Sequence, residues 1–337
     1  VKRAVLLIGF GGPDRPADIR PFLANVLRGR PVPPHRAEEV ARQYERIGGR
    51  SPYNDLAADV AHALEQRLNT ASPLIPVTLG MRNWSPTLKD TMSRLKEEGV
   101  TDIVGVVLAA YRSLPSWNYY LLSTAEAFHS VGGRFRLRFV SPWHADARFE
   151  EAVASRIEET LHTLPEEKRA TSRWYFTAHS IPVPWDSASG YSSQIKALCA
   201  RVAARFNQKD WRLVYQSRSG RPEDPWLEPD VAQDIGGDPD LKGRDILLIP
   251  VGFLMDHVEV LFDLDVKARD ASDAVGARYL RAKTVGVHPI FLDMLTEKVQ
   301  EQFDLMAAIP RWAQGSREKF VKQTISPVAN GKGQSIG

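Results

Sequence analysis

Residues 4–13 read Ala-Val-Leu-Leu-Ile-Gly-Phe-Gly-Gly-Pro, and residues 173–182 read Arg-Trp-Tyr-Phe-Thr-Ala-His-Ser-Ile-Pro. Each opens as an apolar, strand-like run and breaks into small residues and a proline. Strand-like runs and amphipathic helical segments alternate after both. Further strands are expected over 75–80, 102–109 and 135–140, then over 211–216 and 245–251. Helices are expected over 17–27, 36–47, 55–68, 86–98 and 118–130. The pattern then restarts, with helices over 147–164, 191–206 and 257–268 and a last one covering 296–306 that begins near residue 290. This alternation predicts an α/β chain of two similar doubly wound, Rossmann-like domains, with parallel sheets and a cleft between them. The halves are residues 1–145 and 146–313, and the polar, Gly/Ser-rich stretch 314–337 is expected to be a disordered tail. Such folds bind ligands at the carboxyl ends of their strands. The turns at 9–13, 110–116, 178–182, 216–229 and 252–259 all fall there.

Bulk properties narrow the function. The 337 residues suffice for two domains, with 43% apolar and 25% charged residues. A net charge of +3 argues against a nucleic-acid protein working through a broad basic surface. Cys199 is the one cysteine, so no intrachain disulfide and no site built on several thiolates can form. It is expected to pack in a helix as a small hydrophobe. No apolar run approaches bilayer length and no signal-peptide pattern opens the sequence, so a soluble cytoplasmic protein is expected.

The chemistry concentrates in a few turns. Residues 251–265 read VGFLMDHVEVLFDLD. If Asp256 opens a helix there, Asp256, Glu259 and Asp263 fall at i, i+3 and i+7, on one face. Like charges so placed are tolerated where they are solvated, or where they handle protons or a cation. His179 follows a strand directly, where α/β sheets keep their chemistry. Ser180 beside it lacks the G-x-S-x-G frame of a nucleophile elbow. The loop at 9–13 is not a dinucleotide loop. The third glycine of G-x-G-x-x-G would be Asp14, and Pro13 removes an amide. Phe10 instead offers an aromatic face to a flat ligand. Trp226, flanked by prolines, marks an ordered loop over 216–229. Arg28, Arg30 and Arg36 form a basic patch that is either a solvated face or an anion site.

Six motifs, in order, resemble the ferrochelatase family over residues 4–303. They are Gly11-Gly12-Pro13; Tyr44 with Arg46-Ile47-Gly48-Gly49-Arg50-Ser51-Pro52; and Gly80-Met81-Arg82-Asn83-Trp84-Ser85-Pro86. The others are Ala178-His179-Ser180-Ile181-Pro182; Tyr215-Gln216-Ser217-Arg218 with Pro225-Trp226-Leu227; and Pro250-Val251-Gly252-Phe253 through Asp256-His257-Val258-Glu259-Val260-Leu261. The resemblance implies insertion of Fe²⁺ into a porphyrin in haem biosynthesis, by a lyase-class metal chelatase. It implies His179 facing Glu259 across the cleft as the catalytic pair, with His179, Glu259 and Asp263 as residues that meet the metal. Phe10, Tyr191 and Trp226 are then expected to grip the ring by its faces. Arg28, Arg30, Ser51, Ser113 and Tyr120 are expected to anchor its propionates.

Departures refine the expectation. Phe10 stands where some relatives carry an iron-ligating tyrosine. Lys267 ends the acidic stripe where some continue with a carboxylate, which puts an outer metal site in doubt. The stretch 28–36 is short and basic, like that of the soluble subgroup acting on coproporphyrin III with its four propionates. Arginines at a lip would equally hold the two propionates of protoporphyrin IX. Iron is expected as substrate and no cofactor as a resident. A [2Fe–2S] cluster is not expected, because the family members that carry one need several cysteines. The porphyrin is the expected partner, with transient contacts to neighbouring haem-pathway enzymes and none to nucleic acid. Two other readings remain open. A cobalt or nickel chelatase usually offers a second cleft histidine, for which His257 is the candidate. A non-catalytic porphyrin or haem carrier would need the cleft but not the His179/Glu259 pair.

Overall fold

From Ala4 to Ile8 every side chain of the first strand is fully buried. A strand covered on both faces belongs at the centre of a parallel sheet with helices on either side. The computed structural model describes residues 1–28, 34–70, 74–132, 135–219, 221 and 223–308. Its first half runs β1 (Arg3–Gly9), α1 (Ile19–Leu27), α2 (Pro34–Arg46), α3 (Tyr53–Leu68), β2 (Val77–Met81), α4 (Leu88–Glu97), β3 (Asp102–Val107), α5 (Tyr119–Ser130) and β4 (Arg136–Phe139). The second runs α6 (Ala147–Leu161), α7 (Glu166–Arg169), β5 (Arg173–His179), α8 (Val183–Ser189), α9 (Tyr191–Arg205) and β6 (Trp211–Gln216). It continues with α10 (Val231–Gly236), β7 (Asp245–Ile249), α11 (Val258–Leu261), α12 (Arg269–Val275), β8 (Arg278–Arg281) and α13 (Pro289–Ala308).

Two four-stranded sheets result, ordered β2-β1-β3-β4 and β6-β5-β7-β8. Every pairing is parallel. The orders match term for term, so each sheet switches direction of winding beside its first strand, β1 or β5. The α/β class with two Rossmann-like sheets agrees with the sequence reading. The reading missed β8, where Arg278 and Arg281 bracket a short edge strand rather than an apolar run.

The C-terminal helix does not stay with the second sheet. It packs on α3, α6, β3 and β4. Phe303 is fully buried beneath the Arg3 guanidinium, 5.0 Å from its ring centre. Arg136 reaches the Met306 carbonyl at 2.6 Å. Near the strand ends the halves are tied again. The Tyr111 hydroxyl donates to the Val251 carbonyl at 3.0 Å, and Gln194 exchanges two bonds with the Arg112 backbone, at 2.8 and 3.0 Å. Cys199 is buried in α9, as expected. No described helix is long and apolar enough to cross a membrane. The expected tail, 314–337, lies outside the described residues.

Candidate active site

β5 ends at His179, which pairs in register with Gln216 at the end of β6. Both ends are pinned. The Tyr191 hydroxyl donates to the His179 carbonyl at 3.2 Å, and the Ser180 amide to the Gln216 carbonyl at 2.8 Å. The Ser180 hydroxyl holds the Leu227 carbonyl at 2.7 Å. The chain leaving β7 then presses on β5: the Gly252 amide bonds the Thr177 carbonyl at 3.0 Å. A Cβ at residue 252 would lie 2.6 Å from the Ala178 Cα, so only glycine permits this approach. The contact delivers α11 to His179.

His257, extended at φ −154°, caps α11 by accepting the Glu259 amide on Nδ1 at 3.2 Å. The buried Gln216 amide donates to the Glu259 carbonyl. Held at both ends, Glu259 puts Oε1 3.3 Å from His179 Nε2 and Oε2 3.7 Å from His257 Nδ1. His179 donates through Nδ1 to the Ser180 carbonyl, which leaves Nε2 aimed at the carboxylate.

These contacts set the charges. Burial disfavours an imidazolium at His179, but the Glu259 carboxylate and the Ser180 carbonyl outweigh it and lift its pKa to about 9. Burial likewise works against ionised Glu259, and the charge and hydrogen bond of His179 chiefly overcome it, holding its pKa at about 2. At neutral pH the pair is an imidazolium–carboxylate. Burial lowers the pKa of His257, which stays neutral beside Phe253, with ring centres 4.7 Å apart, and Tyr53, at 6.2 Å.

The three-carboxylate face expected from the sequence does not form. α11 ends at Leu261, and Asp263–Ala268 winds as a wider π-helical turn, which breaks the i, i+3, i+7 phase. Asp256 precedes the helix and pairs with Arg281 at 3.0 Å. Asp265 joins the same guanidinium at 2.7 Å and accepts the Tyr279 hydroxyl at 3.0 Å. Asp263 is buried; it accepts the Ser217 hydroxyl and lies 3.0 Å from Lys267 Nζ. The expected metal set of His179, Glu259 and Asp263 is therefore not assembled. Among the described residues, no group of three or more His, Cys, Asp or Glu side chains is arranged to hold a metal ion.

The expected ring contacts divide. Phe10 is half-buried at the tip of β1, edge-on to Phe22 with ring centres 6.0 Å apart. Trp226 is half-buried and bridged to Pro182, with an indole N–H that has no protein partner. Tyr191 is instead packed in the core, and its role is to hold the His179 backbone. Among the propionate anchors, Ser51 is buried against Gly12 and accepts the Tyr53 amide at 3.3 Å. Ser113 is buried and caps the turn at Leu114–Asn118, accepting the Ser116 amide at 3.1 Å. Tyr120 is buried as well. Their hydroxyl and ring positions follow from packing, which sequence spacing does not report. Arg28 is exposed and donates to the Ser123 hydroxyl at 2.7 Å, while Arg30 lies outside the described residues. The sequence reading passed over Gln216, Ser217 and Arg82 as site residues. Each directly follows or ends a strand, the signal that had singled out His179.

The family model described as Ferrochelatase matches residues 2–303. A coproporphyrin III ferrochelatase from Nocardia farcinica is 38% identical over 316 residues, covering 90% of this chain and 89% of that one. One from Leifsonia xyli is 37% identical over 326 residues, covering 89% and 84%. A ferrochelatase from Rhodopirellula baltica is 36% identical over 304 residues, covering 88% and 85%. Among solved structures, SirB from Bacillus subtilis with Fe³⁺ superposes with a TM-score of 0.59 at 12% identity, covering 89% of this chain and 95% of that one. At that identity the likeness speaks for the fold alone.

Proposed function

The chain belongs to the ferrochelatase family, and we propose that it inserts Fe²⁺ into coproporphyrin III, as a lyase-class chelatase of haem biosynthesis working in the cytoplasm. The observation that carries the reading is the 3.3 Å contact between His179 and Glu259 at the end of β5. Insertion exchanges one dication for two pyrrole protons, so charge is conserved at the ring. At rest the imidazolium–carboxylate pair is neutral overall. An approaching Fe²⁺ repels the imidazolium proton, which leaves to water. Neutral His179 Nε2 can then accept the two pyrrole protons one after the other, releasing the first to water before it takes the second, while the Glu259 oxygens offer hard ligands to a cation shedding its water. Half-buried His257 caps the helix that carries Glu259 and so holds that carboxylate in place. Phe10 and Trp226 present aromatic surface suited to a flat ring. Cys199, alone and buried, supports a protein without a [2Fe–2S] cluster.

The names of the relatives favour coproporphyrin III, and the exposed Arg28 suits a substrate with more carboxylates at its rim. An anaerobic time course of Soret spectra with Fe²⁺, run on coproporphyrin III and protoporphyrin IX side by side, tests both points. Faster metallation of coproporphyrin III is expected. Faster turnover of protoporphyrin IX overturns the substrate, and porphyrin binding without metallation overturns the activity in favour of a carrier.

A further inference from the structure

We infer that Arg281, at the end of β8, is a positioning residue for iron insertion: its guanidinium grips Asp256 and so sets where Glu259 stands relative to His179. The inference rests on the proposed function. Glu259 sits on a weak element. α11 has only the four residues Val258–Leu261, and the π turn Asp263–Ala268 follows it. A single turn of helix is too short to hold itself. Val260 and Leu264 are fully buried, which fixes the depth of the segment. Apolar contact is non-directional, so the orientation has to come from directional bonds. On the flank of β5 and β6 these are the bonds of the Gly252 amide and the Gln216 side chain. On the opposite flank they come from Arg281.

Arg281 is rooted in the second sheet. It pairs in register with the fully buried Leu248 of β7, and the next amide, of Ala282, donates to the Leu248 carbonyl at 2.9 Å. A guanidinium carries five N–H donors in one plane. Nη1 and Nη2 reach the two oxygens of Asp256 at 3.3 and 3.0 Å. Nε and Nη2 reach the two oxygens of Asp265 at 2.7 and 2.9 Å. Nη1 also makes a longer contact of 3.4 Å with the Ala282 carbonyl. Every donor is thus engaged, in two bidentate forks on a half-buried group, the geometry in which an arginine fixes its partners most firmly.

The two forks do different work. Asp256 directly precedes His257, which is extended at φ −154° and accepts the Glu259 amide on Nδ1 at 3.2 Å. Tying the Asp256 carboxylate to the sheet fixes the direction from which the chain enters that cap, three residues before Glu259. Asp265 lies beyond the change of helical period and is held by the Tyr279 hydroxyl as well, at 3.0 Å, so its fork steadies the π turn. Without Arg281 the Asp256 carboxylate turns to water, and Glu259 is held from the β6 side alone.

The test joins crystal structures of the porphyrin-free wild type and Arg281→Gln to steady-state kinetics of Fe²⁺ insertion into coproporphyrin III. In the variant, Glu259 Oε1 should withdraw from His179 Nε2, from 3.3 Å to beyond about 4 Å, the outer reach of an ion pair, while both sheets stay in place. The kcat should fall between about tenfold and a hundredfold, the usual consequence of a misplaced reacting group. The KM for the porphyrin should change less than about twofold, because Arg281 acts through Glu259 and not on the ring. Arg281→Lys keeps the charge and loses the planar fork; it should recover part of kcat, and it serves if the glutamine variant does not fold. Adding Asp256→Asn to Arg281→Gln should cost little more than either change alone, since the pair acts as a unit. An unmoved Glu259, a kcat within about threefold of wild type, a KM that rises in step with the loss, or multiplicative losses in the double variant overturns the positioning role. A wild-type protein that binds the porphyrin without metallating it overturns the proposed function, and the two crystal structures then decide by themselves whether Arg281 places Glu259.

Discussion

Replacing Glu259 by glutamine should move the titration of His179 down by about two pH units or more. The wild-type imidazole is lifted from 6.5 to about 9 against the burial that would lower it. At about 1.4 kcal/mol per pH unit, that gap corresponds to about 3 kcal/mol of interaction. Glu259 keeps about a third of its side chain exposed, at 37%, so water screens part of this. Glutamine preserves the shape and the bond from Gln216 to the backbone of residue 259 but removes the charge. Burial then dominates His179, and its titration should fall to about 6.5 or below. The assay is NMR of the histidine ring carbons between pH 5 and 10, with the His179 signal assigned by its loss in a His179→Asn variant. In the wild type, the pH dependence of kcat/KM should show an acid limb with the same midpoint, since Nε2 must be free to accept a proton. A His179 that still titrates near 9 in the glutamine variant would refute the reasoning, for the charge of Glu259 would then not be what holds the proton.

His179→Ala should reduce iron insertion far more than tenfold while porphyrin binding, followed by fluorescence, persists; turnover within about tenfold of wild type, about 1.4 kcal/mol, would remove the catalytic assignment. Asp265→Asn should leave turnover nearly unchanged but cost about 1–3 kcal/mol in denaturant unfolding, because it weakens the half-buried Arg281 network; an unaltered midpoint would show that network to be marginal. Gly252→Ala should lower turnover by forcing the β7 loop away from Ala178, with a modest change in melting temperature, and full activity would show that the close approach is not needed. His179, lifted from 6.5, contributes stability in full below pH 6.5 and loses it as pH rises through about 9; Glu259, lowered from 4.5, contributes above 4.5 and loses it as pH falls through about 2. The melting temperature of Glu259→Gln should therefore fall furthest below wild type between about pH 4.5 and 6.5 and converge with it above about 9, and a constant deficit across that range would contradict the linkage.

The sheets were legible because burial on both faces leaves unbroken apolar runs, and β1, β3, β5 and β7 are such runs. His179 was legible for the same reason, standing where such a run stops. The phase of the acidic residues was not. A helical wheel assumes one period, and the chain changes period at Asp263, where a π turn begins. Nothing in FDLDVK announces that turn. Its supports are remote: Ser217, in the left-handed conformation at φ 62°, meets Asp263, and Arg281 on an unforeseen edge strand collects Asp256 and Asp265. The contacts of the serines were not legible for a related reason. A hydroxyl beside a turn fits many partners in sequence, and only the positions of the Tyr53 and Ser116 amides show which backbone groups Ser51 and Ser113 accept.

The two sheets bring opposite charge to the same end of the molecule. The second sheet supplies Glu259 beside His179, and the first supplies Arg28 and Arg82. Both sets act on one group: beyond burial, the charges felt by the Tyr120 hydroxyl include Arg82 and Glu259. This polarity suits a substrate whose centre must lose protons and gain a cation while its rim carries carboxylates. The same division explains why the acidic side need not be strongly charged. Asp256 and Asp265 are paired with Arg281, and Asp263 with Lys267, so Glu259 is the carboxylate left facing a titratable partner. A cation drawn to this end meets one carboxylate whose own counterion, the His179 proton, is mobile and can depart as the metal arrives.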